Sequence, residues 1–380
     1  MKAVRNNIIF EPSIKGHVLE YLHNIYMHAM HYDDNYIFLL PQSFEKSKHI
    51  LDWPEAGNIC FQFITDKEAD ECNQPGFLKA ALARCKCLKK YSKLFNADNV
   101  FLIFLIRTMP FLPFYLPSGT KASGIIYSIP LYKTMQSKVQ NVKDKIIYKL
   151  FASKKSIKNV FILNDPKSAE YYNKKYNTDK FLHLTDPIPE IDMSQVRDLR
   201  EELGIPQENN VYLQFGSMDS RKNTLNILRA IKVMSPREQE SKTFVFMGKL
   251  YDNIRDEFNS LIEELKEKVQ IIVKEGFVPY EFLNSMCYTA DIILTIYTNV
   301  EMSSGTIGYA AYFEKPVIGP SAGLLGNLIK DNNLGLTIDQ VSPETIKDAL
   351  LVDIKPQENN YKQTHSVSVF CDTILKTFKY

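Results

Sequence analysis

The residues best suited to chemistry lie in the run Gln214-Phe215-Gly216-Ser217-Met218-Asp219-Ser220-Arg221-Lys222-Asn223. An apolar segment, Val211–Phe215, precedes it, and a segment of helical period follows. A glycine after a strand lets the chain turn sharply and lets a ligand approach the backbone. Free amides at a helix start favour an anion. Arg221 and Lys222 add cationic donors suited to a diphosphate. The glycine spacing is that of neither a P-loop nor a dinucleotide fingerprint.

A second run, Glu301-Met302-Ser303-Ser304-Gly305-Thr306-Ile307-Gly308, opens another helical segment. Ser303, Ser304, Gly305 and Thr306 offer hydroxyls and amides where a helix dipole is positive. Glu301 precedes them, where a carboxylate can accept hydrogen bonds from sugar hydroxyls. The same residues also suit a plain N-cap by Ser303 or Ser304 with Glu301 exposed. A third run, Glu275-Gly276-Phe277-Val278-Pro279, offers backbone groups that can read a nucleobase edge. A fourth, Gly319-Pro320-Ser321-Ala322-Gly323-Leu324-Leu325-Gly326, turns into a short helix. All four follow expected strands, and open α/β sheets bind ligands at the carboxyl ends of their strands.

The elements that must position these loops alternate between short apolar runs and helical-period segments, as in parallel sheets covered by helices. In the first half, strands are expected at Asn7–Phe10, Tyr36–Leu40, Ile59–Ile64, Val100–Ile106, Gly124–Ser128, Val160–Leu163 and around Phe181. Helices are expected from His17 to about His31 and near 77–95, 131–151 and 166–175. The segment Leu184–Ile191, with two prolines, suits a linker. A second series follows, with strands at Val211–Phe215, Thr243–Met247, Gln270–Val273, Ile292–Leu294, Pro316–Ile318 and Leu336–Ile338. Its helices are expected near 222–234, 252–267, 280–288, 304–313, 324–330 and 343–350. Tyr361–Phe378 has the spacing of one terminal helix that crosses back onto the first domain. The expected division is 1–187, 188–355 and a crossover helix at 356–380.

Composition narrows the function classes. The 380 residues include 46 basic and 44 acidic side chains, a balance that argues against a nucleic-acid binder. Lysines concentrate in 133–158, which suits either a solvated helix face or a face drawn to an anionic membrane surface or phosphate-bearing acceptor. The apolar stretch Val100–Pro117 is broken by Arg107 and prolines, so it reads as a buried strand, Val100–Ile106, and an apolar loop that either packs on the domain or touches lipid or a lipid-linked acceptor, rather than as a membrane span. Six cysteines in no zinc pattern point to reduced thiols in a cytoplasmic protein. The N-terminus lacks the apolar run of a signal peptide. The histidines show no metal-ligand spacing.

The second half, over roughly 209–340, resembles the donor domain of GT-B glycosyltransferases, particularly the family 4 group. The resemblance runs through the glycine turn, the basic pair, Phe246-Met247-Gly248, the Gly-Phe-Val loop, Ala290-Asp291, Glu301 and Lys315-Pro316-Val317-Ile318. It implies two Rossmann-like α/β domains facing a cleft. It also implies a nucleotide-diphosphate sugar donor, with UDP and GDP both open, and no bound cofactor or metal. On this resemblance Gly216, Ser217, Arg221, Lys222, Gly276, Phe277, Glu301, Ser303, Ser304, Gly305 and Thr306 hold the donor. Tyr309 stands where the family has a second glutamate, and Ser217 where it often has arginine. In the first half Ser13-Ile14-Lys15-Gly16-His17 corresponds to the loop facing the cleft, so His17 joins Lys222 and Glu301 as a catalytic candidate. Glu20 and Tyr21 are further candidates for the acceptor. Asn164 and Asp165 could face the cleft, although Asp165 ahead of Pro166 also suits a helix cap.

The expected function is transfer of a sugar to a saccharide or lipid-linked acceptor, at the inner face of a membrane or free in the cytoplasm. A nucleotide-sugar epimerase or hydrolase of the same fold, and a non-catalytic nucleotide-sugar-binding subunit, are the alternatives.

Overall fold

Parallel strands buried on both faces account for most of the apolar runs. The computed structural model describes residues 4–14, 18–132 and 138–379. Its contacts separate two units, Met1–Thr185 with Val367–Tyr380, and Asp186–Ser366.

The first unit contains β1 (Asn6–Phe10), β2 (Asn35–Pro41), β3 (Ile59–Ile64), β4 (Asn99–Leu102), β5 (Lys121–Ile126), β6 (Ile157–Leu163) and β7 (Phe181–Leu184). They form one sheet in the order β3-β2-β1-β4-β5-β6-β7, and every pairing is parallel. Ile8, Ile9, Phe38, Leu39, Val100 and Phe101 are buried, as central strands of a covered parallel sheet require. The helix Val18–Ala29 and the terminal helix Val367–Lys376 share one core through Leu22, Ile25, Phe370, Ile374 and Leu375. Tyr21, an acceptor candidate in the sequence, has its ring 5.0 Å from that of Phe370 in this core.

Several expected elements change. β4 stops at Leu102, short of Ile106, and the chain turns into a 3-10 segment, Leu105–Thr108, then a short helix, Leu112–Tyr115. The turn folds over Gly124, where a Cβ would lie 2.5 Å from the Leu102 carbonyl oxygen and 3.0 Å from Leu105 Cβ. An apolar run does not distinguish a strand from such a buried turn. Met109 and Leu112 pack inside, while Phe114 is exposed. The helix Asp66–Asn73, absent from the expectation, begins with a capping box between Thr65 and Glu68. The expected terminal helix is interrupted, as Tyr361–Thr364 and Val367–Lys376. Between them the His365 carbonyl accepts from the Ile188 amide at 2.8 Å, and its ring stacks on Tyr361 at 3.6 Å. Asp165 caps the helix Pro166–Tyr176, its Oδ1 accepting from the Ser168 amide at 3.0 Å.

The second unit contains β8 (Asn210–Phe215), β9 (Lys242–Gly248), β10 (Gln270–Glu275), β11 (Ile292–Leu294), β12 (Val317–Pro320) and β13 (Gly335–Ile338). The sheet order is β10-β9-β8-β11-β12-β13, again all parallel. Helices Thr224–Lys232, Asp252–Leu265, Tyr280–Thr289, Gly305–Tyr312, Gly323–Asp331 and Pro343–Leu350 alternate with these strands. The proline-containing segment after β7 is packed rather than free: Ile188 is buried against Gly308 of this unit. Among the described residues no helix is long and apolar enough to cross a membrane.

One buried acid makes the first unit sensitive to pH. Glu11, directly after β1, is 2% exposed. Burial raises its carboxyl to about 7, against the opposing pull of Arg84, Arg107 and the Ser13 amide. The folded chain thus keeps a proton that an unfolded glutamate releases near pH 4.3. This contribution is complete below the unfolded value and is lost as pH rises through about 7. The Glu11→Gln variant should therefore keep stability that the wild type loses between about pH 5 and 8, on the order of 3 kcal/mol. Urea denaturation across that range measures it; parallel profiles for both proteins would contradict the assignment.

Candidate functional site

In the second unit the sheet order reverses between β8 and β11, so the loops following these two strands lie side by side. That is the position at which open α/β sheets receive ligands. The loop after β8 turns at Gly216, whose φ of 93° favours glycine. The Gly216 amide donates to the Met247 carbonyl at 2.8 Å, and the Gly276 amide to the Gly248 carbonyl at 2.9 Å. A Cβ on Gly248 would lie 1.8 Å from the Gly216 carbonyl oxygen. Glycines at the ends of β8, β9 and β10 therefore let three turns approach one another.

Lys222 lies beyond this turn and is only 7% exposed. Its Nζ donates to the Phe215 carbonyl at 2.7 Å and sits 4.9 Å from the centre of the Tyr297 ring. The backbone around it is held on both sides. Gln214, buried in β8, donates its amide to the Lys222 carbonyl at 2.8 Å, and Asp219 Oδ1 accepts from the Lys222 amide at 2.8 Å. An ammonium carries three donors, and the Phe215 carbonyl and the Tyr297 hydroxyl take two of them. Arg221 is exposed and lies 3.7 Å from Asp219 and 6.0 Å from the Tyr297 ring centre.

Tyr297, in the loop after β11, joins the two motifs. Its hydroxyl lies 2.9 Å from Thr306 Oγ1 and receives a hydrogen bond from Ser304 Oγ at 3.4 Å. Burial works to raise this phenol, but the Lys222 ammonium and the hydrogen bonds from Ser304, Thr306 and Lys222 bring it below its ordinary value. The Thr298 amide donates to the Arg221 carbonyl at 2.9 Å, a second link between the loops. Ser304 caps the helix Gly305–Tyr312 by accepting from the Thr306 amide, so the capping reading holds for this residue. Gly305, the first residue of that helix, is exposed, and a Cβ there would meet no atom within 4 Å. The helix start thus opens onto free space beside Tyr297. Glu301 is half-buried, and its amide donates to Asn299 Oδ1 at 3.1 Å. The neighbouring Val300 carbonyl accepts from the Leu324 amide at 2.8 Å, which ties the Glu301 loop to the turn after β12.

The remaining sequence candidates fall as follows. Ser217 is half-buried in the glycine turn. Ser303 is drawn to Asp186, donating to its Oδ2 at 3.1 Å. Phe277 is 85% exposed beside Gly276, and Glu275 is held by two hydrogen bonds from Arg255 at 2.7 and 3.0 Å. Tyr309 is buried with its ring edge-on to Phe215, at 5.6 Å, so an aromatic contact occupies the place of the second glutamate. Asp291 pairs with Arg200 at 2.8 Å and also accepts from the Val211 amide, a structural role at the start of β11. His17 lies outside the described residues. Sequence reasoning missed Tyr297, which carries no motif of its own, and left Gln214 and Asp219 without a role. Among the described residues no group of three or more His, Cys, Asp or Glu is arranged to hold a metal ion.

Two units, each an all-parallel sheet flanked by helices, define the GT-B class of glycosyltransferase folds. The sequence model for glycosyl transferases group 1 matches residues 195–363, which contain every strand of the second sheet. No curated protein sequence matches the chain. Similar solved structures include a glycosyltransferase from Rickettsia africae (13% identity, TM-score 0.69, covering 100% of this chain and 98% of that one). They also include Anabaena Alr3699/HepE in complex with UDP (14%, 0.67, covering 99% and 100%). A third is WaaG, a glycosyltransferase involved in lipopolysaccharide biosynthesis (15%, 0.63, covering 98% of each). At these identities the structural likeness establishes the fold, and only the second unit carries the family match.

The glycine contacts can be tested separately from any activity. Gly276 has a φ of 107° with no atom within 4 Å of an added Cβ, so Gly276→Ala meets backbone strain alone, about 1–2 kcal/mol. Gly248→Ala meets the same kind of strain and the Gly216 carbonyl as well. Urea midpoints should place Gly248→Ala clearly below Gly276→Ala. Equal midpoints would mean that the close approach of the two turns is not a constraint.

Proposed function

We propose that the chain transfers a sugar from a nucleoside-diphosphate sugar to a saccharide or glycolipid acceptor. The observation that carries this reading is the buried Lys222 ammonium, joined through Tyr297 to the helix start at Ser304–Thr306. A diphosphate placed there meets Lys222, Arg221 and the amide of Gly305. As the glycosidic bond breaks, charge grows on the departing diphosphate, and preorganised donors favour that state. Glu301, in the loop after β11, accepts hydrogen bonds from the sugar hydroxyls in this reading. Gly276 and Phe277 offer backbone and ring surface to the base. The UDP bound by Anabaena HepE favours a uridine donor here. The acceptor is assigned to the first unit, with His17 as a candidate contact, and the reaction to the cytoplasmic side.

Isothermal titration with UDP and GDP tests the donor site. Lys222→Ala should weaken nucleotide binding by roughly 10- to 100-fold, the scale of one charge-assisted contact. Gly305→Ala is the control for folding, since its methyl enters free space. It should leave thermal stability unchanged and weaken UDP. UDP binding untouched in both variants would refute the site. Release of free sugar without any acceptor would instead favour the hydrolase reading.

We also propose that the first unit contacts an anionic membrane surface. On the helix Lys138–Ser153, Val139, Val142 and Ile146 are exposed at helical spacing beside exposed Lys145 and Lys149. Lys143 Nζ lies 3.8 Å from the ring centre of Phe77, which is exposed together with Leu78. Flotation with phosphatidylglycerol vesicles should carry the protein, and phosphatidylcholine vesicles should not. The double variant Val142→Asp and Ile146→Asp should stay at the bottom of the gradient. Equal flotation of wild type and variant would remove the proposal.

A further inference from the structure

We propose that Glu11, Arg84 and Arg107 form a binding site in the first unit for the anionic group, carboxylate or phosphate, of a small molecule. It rests on the proposed function only in identifying that molecule as the acceptor. The sheet of this unit reverses order between β1 and β4. Glu11 is the first residue beyond β1, and Arg107 lies in the turn that follows β4. A cavity at this switch point is bordered by both residues and by Arg84 from the helix Phe77–Leu94, with Phe10, Leu102 and Phe104 as apolar walls. This is where an open parallel sheet receives a ligand, as at the loops after β8 and β11.

Among the described residues the polar groups around the cavity are left incomplete. Glu11 Oε1 accepts from the Ser13 amide at 3.0 Å. Arg84 is 7% exposed; its Nη1 donates to the Arg107 carbonyl at 3.4 Å and its Nη2 to Asn73 Oδ1 at 3.2 Å. The Arg84 Nε is buried without a hydrogen-bond partner among the described residues. Buried donors of a charged group are costly to leave open, so an acceptor from a ligand is favoured there. Arg107 is exposed, with its guanidinium 4.2 Å from the Phe104 ring centre, and it forms the accessible edge.

Charge selects the ligand class. Two guanidinium groups face one carboxyl, which burial keeps partly protonated near neutral pH. The adjacent Cys85 thiol, pushed up to about 12 by burial, stays neutral. The surplus is positive, with Arg84 shielded from water by burial, and guanidinium forks match carboxylate and phosphate oxygens. Size selects the portion that enters. The recess has room for roughly one water-sized atom. One oxygen of the anionic group enters it, and the rest of the molecule stays at the mouth beside Arg107.

Titration calorimetry of the full chain with glucose 6-phosphate, glucuronate and glucose at pH 7 tests the site. At least one charged sugar should bind and glucose should not. The charged probe with the greater affinity then distinguishes phosphate from carboxylate. Arg107→Gln, at an exposed position that the fold tolerates, should weaken the charged probe by about tenfold or more. Lys222→Ala should leave that affinity unchanged, and UDP should show the reverse dependence on the two variants. Binding of glucose as tight as that of the charged sugars, an anion affinity indifferent to Arg107→Gln, or no anion binding at all overturns the proposal. Loss of the donor reading would show differently, as absent UDP binding with the sugar-anion result intact.

Discussion

A buried ammonium has to be satisfied, and that requirement organises the second unit. Lys222 is taken almost wholly out of water, where an isolated charge would cost several kcal/mol. The fold answers with the Phe215 carbonyl, the electron-rich face of Tyr297 and the phenol held at the next helix start. Gln214 and Asp219 then fix the backbone on either side. The result is a cation aimed by its surroundings rather than one that wanders on a flexible stem. A donor held in this way loses little further freedom on making another contact.

The sheet supplies the rest of the geometry. Because β8 and β11 are neighbours, residues about eighty positions apart in sequence share one edge. Close approach of the turns after β8, β9 and β10 requires glycine at Gly216, Gly248 and Gly276, through positive φ at each and direct crowding at Gly248. Tyr309 fills the wall beside Phe215 with an aromatic contact.

The first unit repeats the same topological device with different chemistry. Its switch point, between β1 and β4, holds a protonatable carboxyl and two guanidinium groups. The terminal helix returns to this unit and closes its core against Val18–Ala29, so the last residues of the chain support the strands that carry Glu11.

The sequence alone determined the alternation of strands and helices, because apolar runs bounded by turn residues leave little freedom in a parallel sheet. It marked Gly216–Lys222 and Ser304–Thr306 as turns after strands, from residue type and position, and the structure brings these two loops side by side through Tyr297. It also contains the capping box at Thr65 and Glu68, a spacing that marks a helix start. It could not separate a strand from a buried turn at Leu102–Ile106, since both are equally apolar. Nor could it assign Tyr297, Gln214 or Glu11, whose roles come from neighbours distant along the chain. Burial and contact decided those residues: a phenol becomes a bridge, and a glutamate a proton store, only when tertiary packing removes water and brings cations near.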